Sequence, residues 1–144
     1  MFIGEYTHSL DAKGRVALPV KFRQTLGEGA ILTRGLDRSL FIYTKADWEN
    51  LAQKLKALPL TQSKARAFAR LMLAGAMEVE FDAQGRILVP EYLRSYAGLK
   101  KTAVFTGVYD RIEIWDDKRW QTYKVGVSAQ ADKLAERLGD LGAL

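Results

Sequence analysis

The chain contains no cysteine, which rules out disulfides, thiolate catalysis and cysteine-ligated metal together. Its absence also suits a reducing cytosol. There is one histidine, His8, and a single histidine without cysteine cannot build a histidine-rich metal site. His8 reads instead as a polar residue on an edge strand. No stretch approaches the ~18 apolar residues of a membrane-spanning helix. The first residues, Met1-Phe2-Ile3-Gly4-Glu5, carry no basic region followed by an apolar run, so no signal peptide is expected. Neither phosphate-cradling glycine loop is present, whether G-x-x-x-x-G-K followed by Ser or Thr, or G-x-G-x-x-G. None of Ser9, Ser39, Ser63, Ser95 and Ser128 lies in a G-x-S-x-G elbow. The chain is therefore expected not to be an enzyme, and no cofactor, metal, small-molecule substrate or membrane partner is expected.

What the chain does have is apolar residues and an excess of cations. Hydrophobic residues make up 48% of 144 positions, enough for a packed core and against wholesale disorder. Lys plus Arg number 22 and Asp plus Glu 17, a net charge of +5. That balance permits an acidic partner such as nucleic acid, although it also serves solubility alone.

The most informative feature is an internal repeat. Asp11-Ala12-Lys13-Gly14-Arg15-Val16-Ala17-Leu18-Pro19 recurs 71 residues later as Asp82-Ala83-Gln84-Gly85-Arg86-Ile87-Leu88-Val89-Pro90. Gly4 matches Gly75, Leu10 matches Phe81 and Arg23 matches Arg94 at the same offset. Ala30-Ile31-Leu32-Thr33 matches Ala103-Val104-Phe105-Thr106, Asp37-Arg38 matches Asp110-Arg111, and Trp48 matches Trp120, each with a slip of one or two residues. Two homologous units follow, about 1–58 and 73–124.

Each unit has the same expected elements. A short alternating strand (5–10; 78–81) enters an Asp-Ala-Lys/Gln-Gly turn, where Gly accommodates positive φ and Asp bonds its own backbone. A second strand follows (15–18; 86–89). Proline then opens a short helix (19–26; 90–97), which Gly27 or Gly98 stops. Two more strands (30–34 and 40–43; 102–108 and 112–115) form a hairpin through the Asp-Arg pair. Glu78 and Glu80 alternate as the wet face of their strand. Thr44 with Asp47 resembles a capping box opening a helix to about Ala57, and Pro59 ends it. A second helix is expected from Thr61 to about Ala74, made basic by Lys64, Arg66 and Arg70. The tail from Ser128 to Leu138 carries Ala131, Leu134, Ala135 and Leu138 on one stripe, as a docked helix or an oligomer contact. Trp48, Trp115, Trp120 and Tyr43 are expected to fill the core behind the hairpins. A unit of about fifty residues with four short strands buries little core alone, so the repeat is expected to act as a fused dimer about a pseudo-two-fold axis.

The two copies of the motif differ in charge. Residues 11–23 carry Lys13, Arg15, Lys21 and Arg23 against Asp11, a net of +3. Residues 82–94 carry Arg86 and Arg94 against Asp82 and Glu91, a net of zero. The first copy presents cations; the second is expected to support the fold or subunit contacts. Arg15 has the planar guanidinium that donates two parallel bonds to guanine O6 and N7. Lys13 and Lys21 suit phosphate, where a point charge suffices, and Arg23 suits either. The competing reading is structural: Asp11 with Arg15, and Asp82 with Arg86, as ion pairs pinning their turns. For Arg86 the structural reading is the stronger, because its surroundings are not basic.

The combined pattern resembles the MraZ family. The residues that carry the resemblance are Met1-Phe2, Asp11-x-x-x-Arg15 followed by Pro19 and Phe22-Arg23, and Asp82-x-x-x-Arg86 followed by Pro90. It covers roughly residues 1–124, and no motif of it falls in the tail. The resemblance implies an α+β, β-rich fold of two tandem AbrB-like swapped-hairpin units. Residues 5–47 would form the first, DNA-binding repeat, 48–75 a helical connector, 76–119 the second repeat and 120–144 a helical tail. It implies a transcription regulator, in many cases a repressor, that binds short direct repeats in duplex DNA upstream of the division and cell-wall gene cluster, including its own gene. It implies a homo-oligomeric ring in the cytoplasm on the nucleoid, with Arg15 as a DNA-contacting residue. The rival classes are an RNA or single-strand binder and an antitoxin-like interaction module.

Overall fold

The computed structural model describes residues 1–144. The doubled sequence folds into a doubled element order. The first half runs β1 (Phe2–Ser9), β2 (Arg15–Ala17), α1 (Val20–Leu26), β3 (Gly29–Arg34), β4 (Leu40–Tyr43), α2 (Lys45–Lys56) and α3 (Ser63–Ala74). The second runs β5 (Met77–Glu80), β6 (Arg86–Leu88), α4 (Glu91–Ala97), β7 (Thr102–Tyr109), β8 (Ile112–Asp116), α5 (Asp117–Ser128) and α6 (Ala131–Asp140). The architecture is α+β. Helix covers 42% of the chain and strand 29%, the helical surplus lying in α2, α3, α5 and α6, beyond the strands of each repeat.

Six strands form one antiparallel sheet in the order β1-β7-β8-β4-β3-β5, and β2 with β6 form a separate ribbon. Each repeat lends its first strand to the other: β1 pairs with β7, and β5 with β3. The pseudo-two-fold runs through two junctions. In the ribbon, Val16 faces its own repeat equivalent Ile87. In the sheet, Leu40 pairs with Ile114 and Ile42 with Ile112, so matched residues cross over. Residue pattern agrees with strand position. Central β4 is buried at all four residues, whereas edge strand β1 exposes most of its side chains, as a strand with one wet face does. His8 lies on that edge, half-buried, its ring 5.9 Å from Phe105.

The main core has 20 buried residues, ten from each repeat, among them the matched pairs Val16 and Ile87, Phe22 and Leu93, and Leu32 and Phe105. Neither repeat owns a core it could keep alone. Because side chains alternate along a strand, the opposite face of the sheet carries a separate small cluster. It consists of Phe41, Tyr43, Leu55 and Met72, with Trp48 and Leu51 against it. Trp115, Trp120 and Tyr123 form its counterpart beneath α5, with ring centroids 4.8–6.1 Å apart. The tryptophans thus sit in satellite clusters under the helices, not in the main core behind the hairpins.

The two helices share one capping logic. The Thr44 hydroxyl accepts from the Asp47 N–H at 3.0 Å at the start of α2. The Asp116 carboxylate accepts from the Arg119 N–H at 3.3 Å at the start of α5. The helix expected from Thr61 begins at Ser63.

Candidate nucleic-acid interface

The two Asp-x-x-x-Arg segments fold into turns with the same set of hydrogen bonds. Asp11 Oδ1 accepts the backbone N–H groups of Lys13 and Arg15, both at 2.9 Å, and the Asp11 carbonyl accepts from Gly14 at 3.1 Å. Asp82 Oδ1 accepts from Gln84 and Arg86, both at 2.9 Å, and its carbonyl accepts from Gly85 at 2.9 Å. Gly14 and Gly85 take φ values of 85° and 73°, a region that side-chain-bearing residues avoid. Both aspartates are held below the usual carboxylate range. The cause is first the backbone N–H of Arg15 or Arg86, then that arginine's side chain and the backbone N–H of Lys13 or Gln84.

The ribbon sets the turns side by side. Val89 N–H donates to the Gly14 carbonyl at 2.9 Å, and Leu18 N–H to the Gly85 carbonyl at 3.2 Å. Asp11, Arg15, Asp82 and Arg86 therefore form one cluster, but its two arginines are not equivalent. Arg86 Nε lies 2.8 Å from Asp82 Oδ2, and its Nη1 lies 3.7 Å from Asp11 Oδ2. Arg15 Nε lies 2.6 Å from Asp11 Oδ2 and meets no second carboxylate. Its two terminal nitrogens carry no hydrogen bond within the chain. A guanidinium has five N–H donors in a fixed fork, so the Asp11 ion pair uses one edge of Arg15 and leaves the Nη pair open. The ion pair and a role at a ligand are compatible for this residue.

Lys13 and Lys21 are exposed, and neither forms an ion pair. Arg23 sits elsewhere. Its guanidinium packs against Gly85 of the second turn, and its Nε is buried without a partner. The structure thus brings Arg15 and Lys13 together on the turn, leaves Lys21 exposed on the helix behind it, and puts Arg23 beneath the neighbouring turn. Burial, and after it the Arg23 charge, pushes the His8 imidazole below its ordinary value.

Arg94 occupies the mirror position of Arg23. Its guanidinium packs against Gly14, and its Nη1 donates to the Val89 carbonyl. Sequence reasoning gave Arg94 no role; the match of Arg23 with Arg94 in the repeat was the signal available. Two further surfaces stand apart from the turns. Lys54, Lys56, Lys64, Arg66 and Arg70 follow one another with no acidic residue between Glu49 and Glu78. On α6, Leu134 and Leu138 are exposed with Leu141 just beyond, an apolar stripe without cover.

A family model described as "MraZ protein, putative antitoxin-like" matches this chain twice, over residues 1–71 and 72–140. A protein of Acetivibrio thermocellus named Transcriptional regulator MraZ is 52% identical over 142 residues, which is 99% of each chain. Proteins of the same name from Caldicellulosiruptor saccharolyticus and a Thermoanaerobacter species are similar to the same extent. The first is 52% identical over 142 residues and 99% of each chain. The second is 50% identical over 141 residues, 98% of this chain and 99% of its own.

Proposed function

The chain belongs to the MraZ family, and from that premise we propose that it is a sequence-specific, DNA-binding transcription regulator whose first repeat reads the duplex. The observation that carries this is the open Nη edge of Arg15 on a half-exposed turn. In the major groove that edge matches guanine O6 and N7, and a good bidentate contact discriminates by roughly 1–3 kcal/mol. Lys13 and Lys21 then meet phosphates, which position the protein without reading sequence. Asp11, Asp82 and Arg86 hold the turns, and Arg23 supports the second one from beneath.

One protomer offers few cations and would bind weakly. Several protomers on repeated sites raise affinity through effective concentration. The uncovered leucine stripe of α6 is consistent with such self-association, and a ring on short direct repeats fits the arithmetic. Repression of the division and cell-wall cluster, including the protein's own gene, is the expected outcome at those repeats. In this scheme residues 5–47 contact DNA, 48–75 connect, 76–119 support and 120–144 form the tail. The work is done in the cytoplasm on the nucleoid.

The test is a titration onto labelled duplexes with and without guanine-containing direct repeats, with single strands as competitors. The repeat duplex is expected to bind tightest, and steeply less so as salt rises. Single strands competing as well as duplex would favour an RNA or single-strand binder. An Arg15→Ala chain that keeps both its fold and its DNA affinity would favour an interaction module.

A further inference from the structure

We infer that Arg94, contributed by the second repeat, is the positioning residue for the first repeat's turn, so that the DNA-reading element is built by both halves of the chain. This rests on the assignment of that turn to DNA, but the geometry behind it does not.

Gly14 is gripped from two sides. Its α-carbon faces the Arg94 guanidinium so closely that a β-carbon there would overlap Nη1 and Cζ. Its carbonyl accepts the Val89 N–H at 2.9 Å, and the carbonyl of the same Val89 accepts from Arg94 Nη1. One guanidinium thus fills the space under the turn and fastens the residue that fastens Gly14. Arg94 is itself half-buried and makes no ion pair, so its hydrogen bonding is directed at backbone. The mirror arrangement is incomplete. Arg23 fills the space at Gly85, yet its Nε is buried without a partner, and the bond from Leu18 to Gly85 is longer, at 3.2 Å. The closed grip lies on the turn that carries Lys13 and Arg15.

A recognition group works only when its support fixes it to within a fraction of an ångström. Loosening Gly14 is therefore expected to blur where Arg15 points while leaving the general attraction of cations for phosphate in place. Arg94→Lys separates the two effects, because lysine keeps the charge and loses the planar fork.

The experiment compares Arg94→Lys and Arg23→Lys with the unmodified chain. The probes are a duplex selected by the unmodified chain from a random pool and a random duplex of equal length. Amide hydrogen exchange across residues 11–18 and melting are measured alongside. Arg94→Lys is expected to lose about tenfold in affinity for the selected duplex, the scale of one blurred base contact, with the random duplex bound within about twofold. Exchange at Gly14 and Arg15 is expected to quicken. Arg23→Lys is expected to leave both affinities within about twofold. Unchanged exchange and affinity in Arg94→Lys, equal losses on both duplexes, or an Arg23→Lys chain that behaves like it would each overturn the inference. A second reading needs no substitution: in the unmodified chain the Arg94 Nη protons are expected to exchange more slowly than those of Arg23, and equal rates would contradict the grip. If Arg15→Ala keeps full preference for the selected duplex, the DNA assignment fails while the exchange data still judge the grip.

Discussion

The two Asp-x-x-x-Arg turns share a backbone and differ in what they offer to solvent. Asp, Gly and Arg recur in both, and those are the residues whose bonds shape the turn. The divergent positions are the ones the backbone does not need. Lys13 is replaced by Gln84 at the tip. Lys21, exposed on α1, is replaced by Tyr92, whose hydroxyl donates to the Gly75 carbonyl at 3.0 Å and so ties α4 to the end of α3. One copy carries free cations, while the other has uncharged residues at the same positions, both of them still exposed. The two copies share a scaffold and split the charge.

That split can be broken in several ways, the largest effect first. Arg15→Ala is expected to reduce discrimination for the repeat duplex by roughly 1–3 kcal/mol per contacted guanine, compounded across linked protomers, with little change in melting. Arg86→Ala is expected to lower the melting temperature and spare discrimination, because Arg86 faces two carboxylates. Binding titrations and thermal melts on both variants check this, and reversed roles would invert the assignment.

Next is backbone strain. Gly14→Ala is expected to cost about 2 kcal/mol in denaturant unfolding and Gly85→Ala about 1 kcal/mol, from the left-handed conformation both share. Gly14 is the worse case because a β-carbon there also meets the Val89 carbonyl at 3.0 Å, whereas at Gly85 the three nearest atoms belong to the Arg23 side chain. Equal costs would remove that asymmetry.

A charge exchange at the tips is expected to act more gently. Lys13→Gln is expected to flatten the salt dependence of binding by about 0.9 per contacted phosphate lost, and Gln84→Lys to leave it nearly unchanged. Affinities measured across a salt series give the slopes.

The smallest effect is on acid stability. Asp11 and Asp82 titrate below the usual range in the folded chain. Near and below about pH 4 the unfolded chain therefore binds more protons than the native one. The stability these groups supply is complete above the ordinary aspartate range and is lost as pH falls through the lowered values. Glu5 adds to the same trend, held down by Trp120 and then Lys124. Asp11→Asn and Asp82→Asn are each expected to flatten the acid side of the melting profile. An unchanged profile would mean that the carboxylates are not held as the turn geometry requires.

Much of the fold was legible because it is written twice. The Asp-x-x-x-Arg-to-Pro run located both turns, and apolar alternation located the strands within a residue or a few; β4 runs from Leu40 to Tyr43 as expected. The exchange of β1 and β5 between repeats has no local signature, because a strand's pattern shows its buried face and not its neighbour; the family resemblance supplied it. Helix α5 was expected only as part of the helical tail that the resemblance placed from residue 120, and its own apolar pattern did not show it. Its two aromatic residues, Trp120 and Tyr123, pack on Trp115 of the sheet, and the rest of Asp117–Ser128 shows no clear apolar period. The match of Trp48 with Trp120 held the signal, since it makes α5 the counterpart of α2. Arg23 shows a further limit. An arginine one turn into a proline-started helix reads as a surface cation, and only the packed helix reveals that it reaches under the other repeat's glycine.

The most direct measurement is a structure of the chain bound to its repeat duplex. It is expected to show the Arg15 Nη atoms within hydrogen-bond reach of base edges in the major groove, with Arg86 still on the carboxylates of Asp82 and Asp11. A complex with the Asp11–Arg15 turn enclosed between subunits, and the duplex held at another surface, would contradict the account.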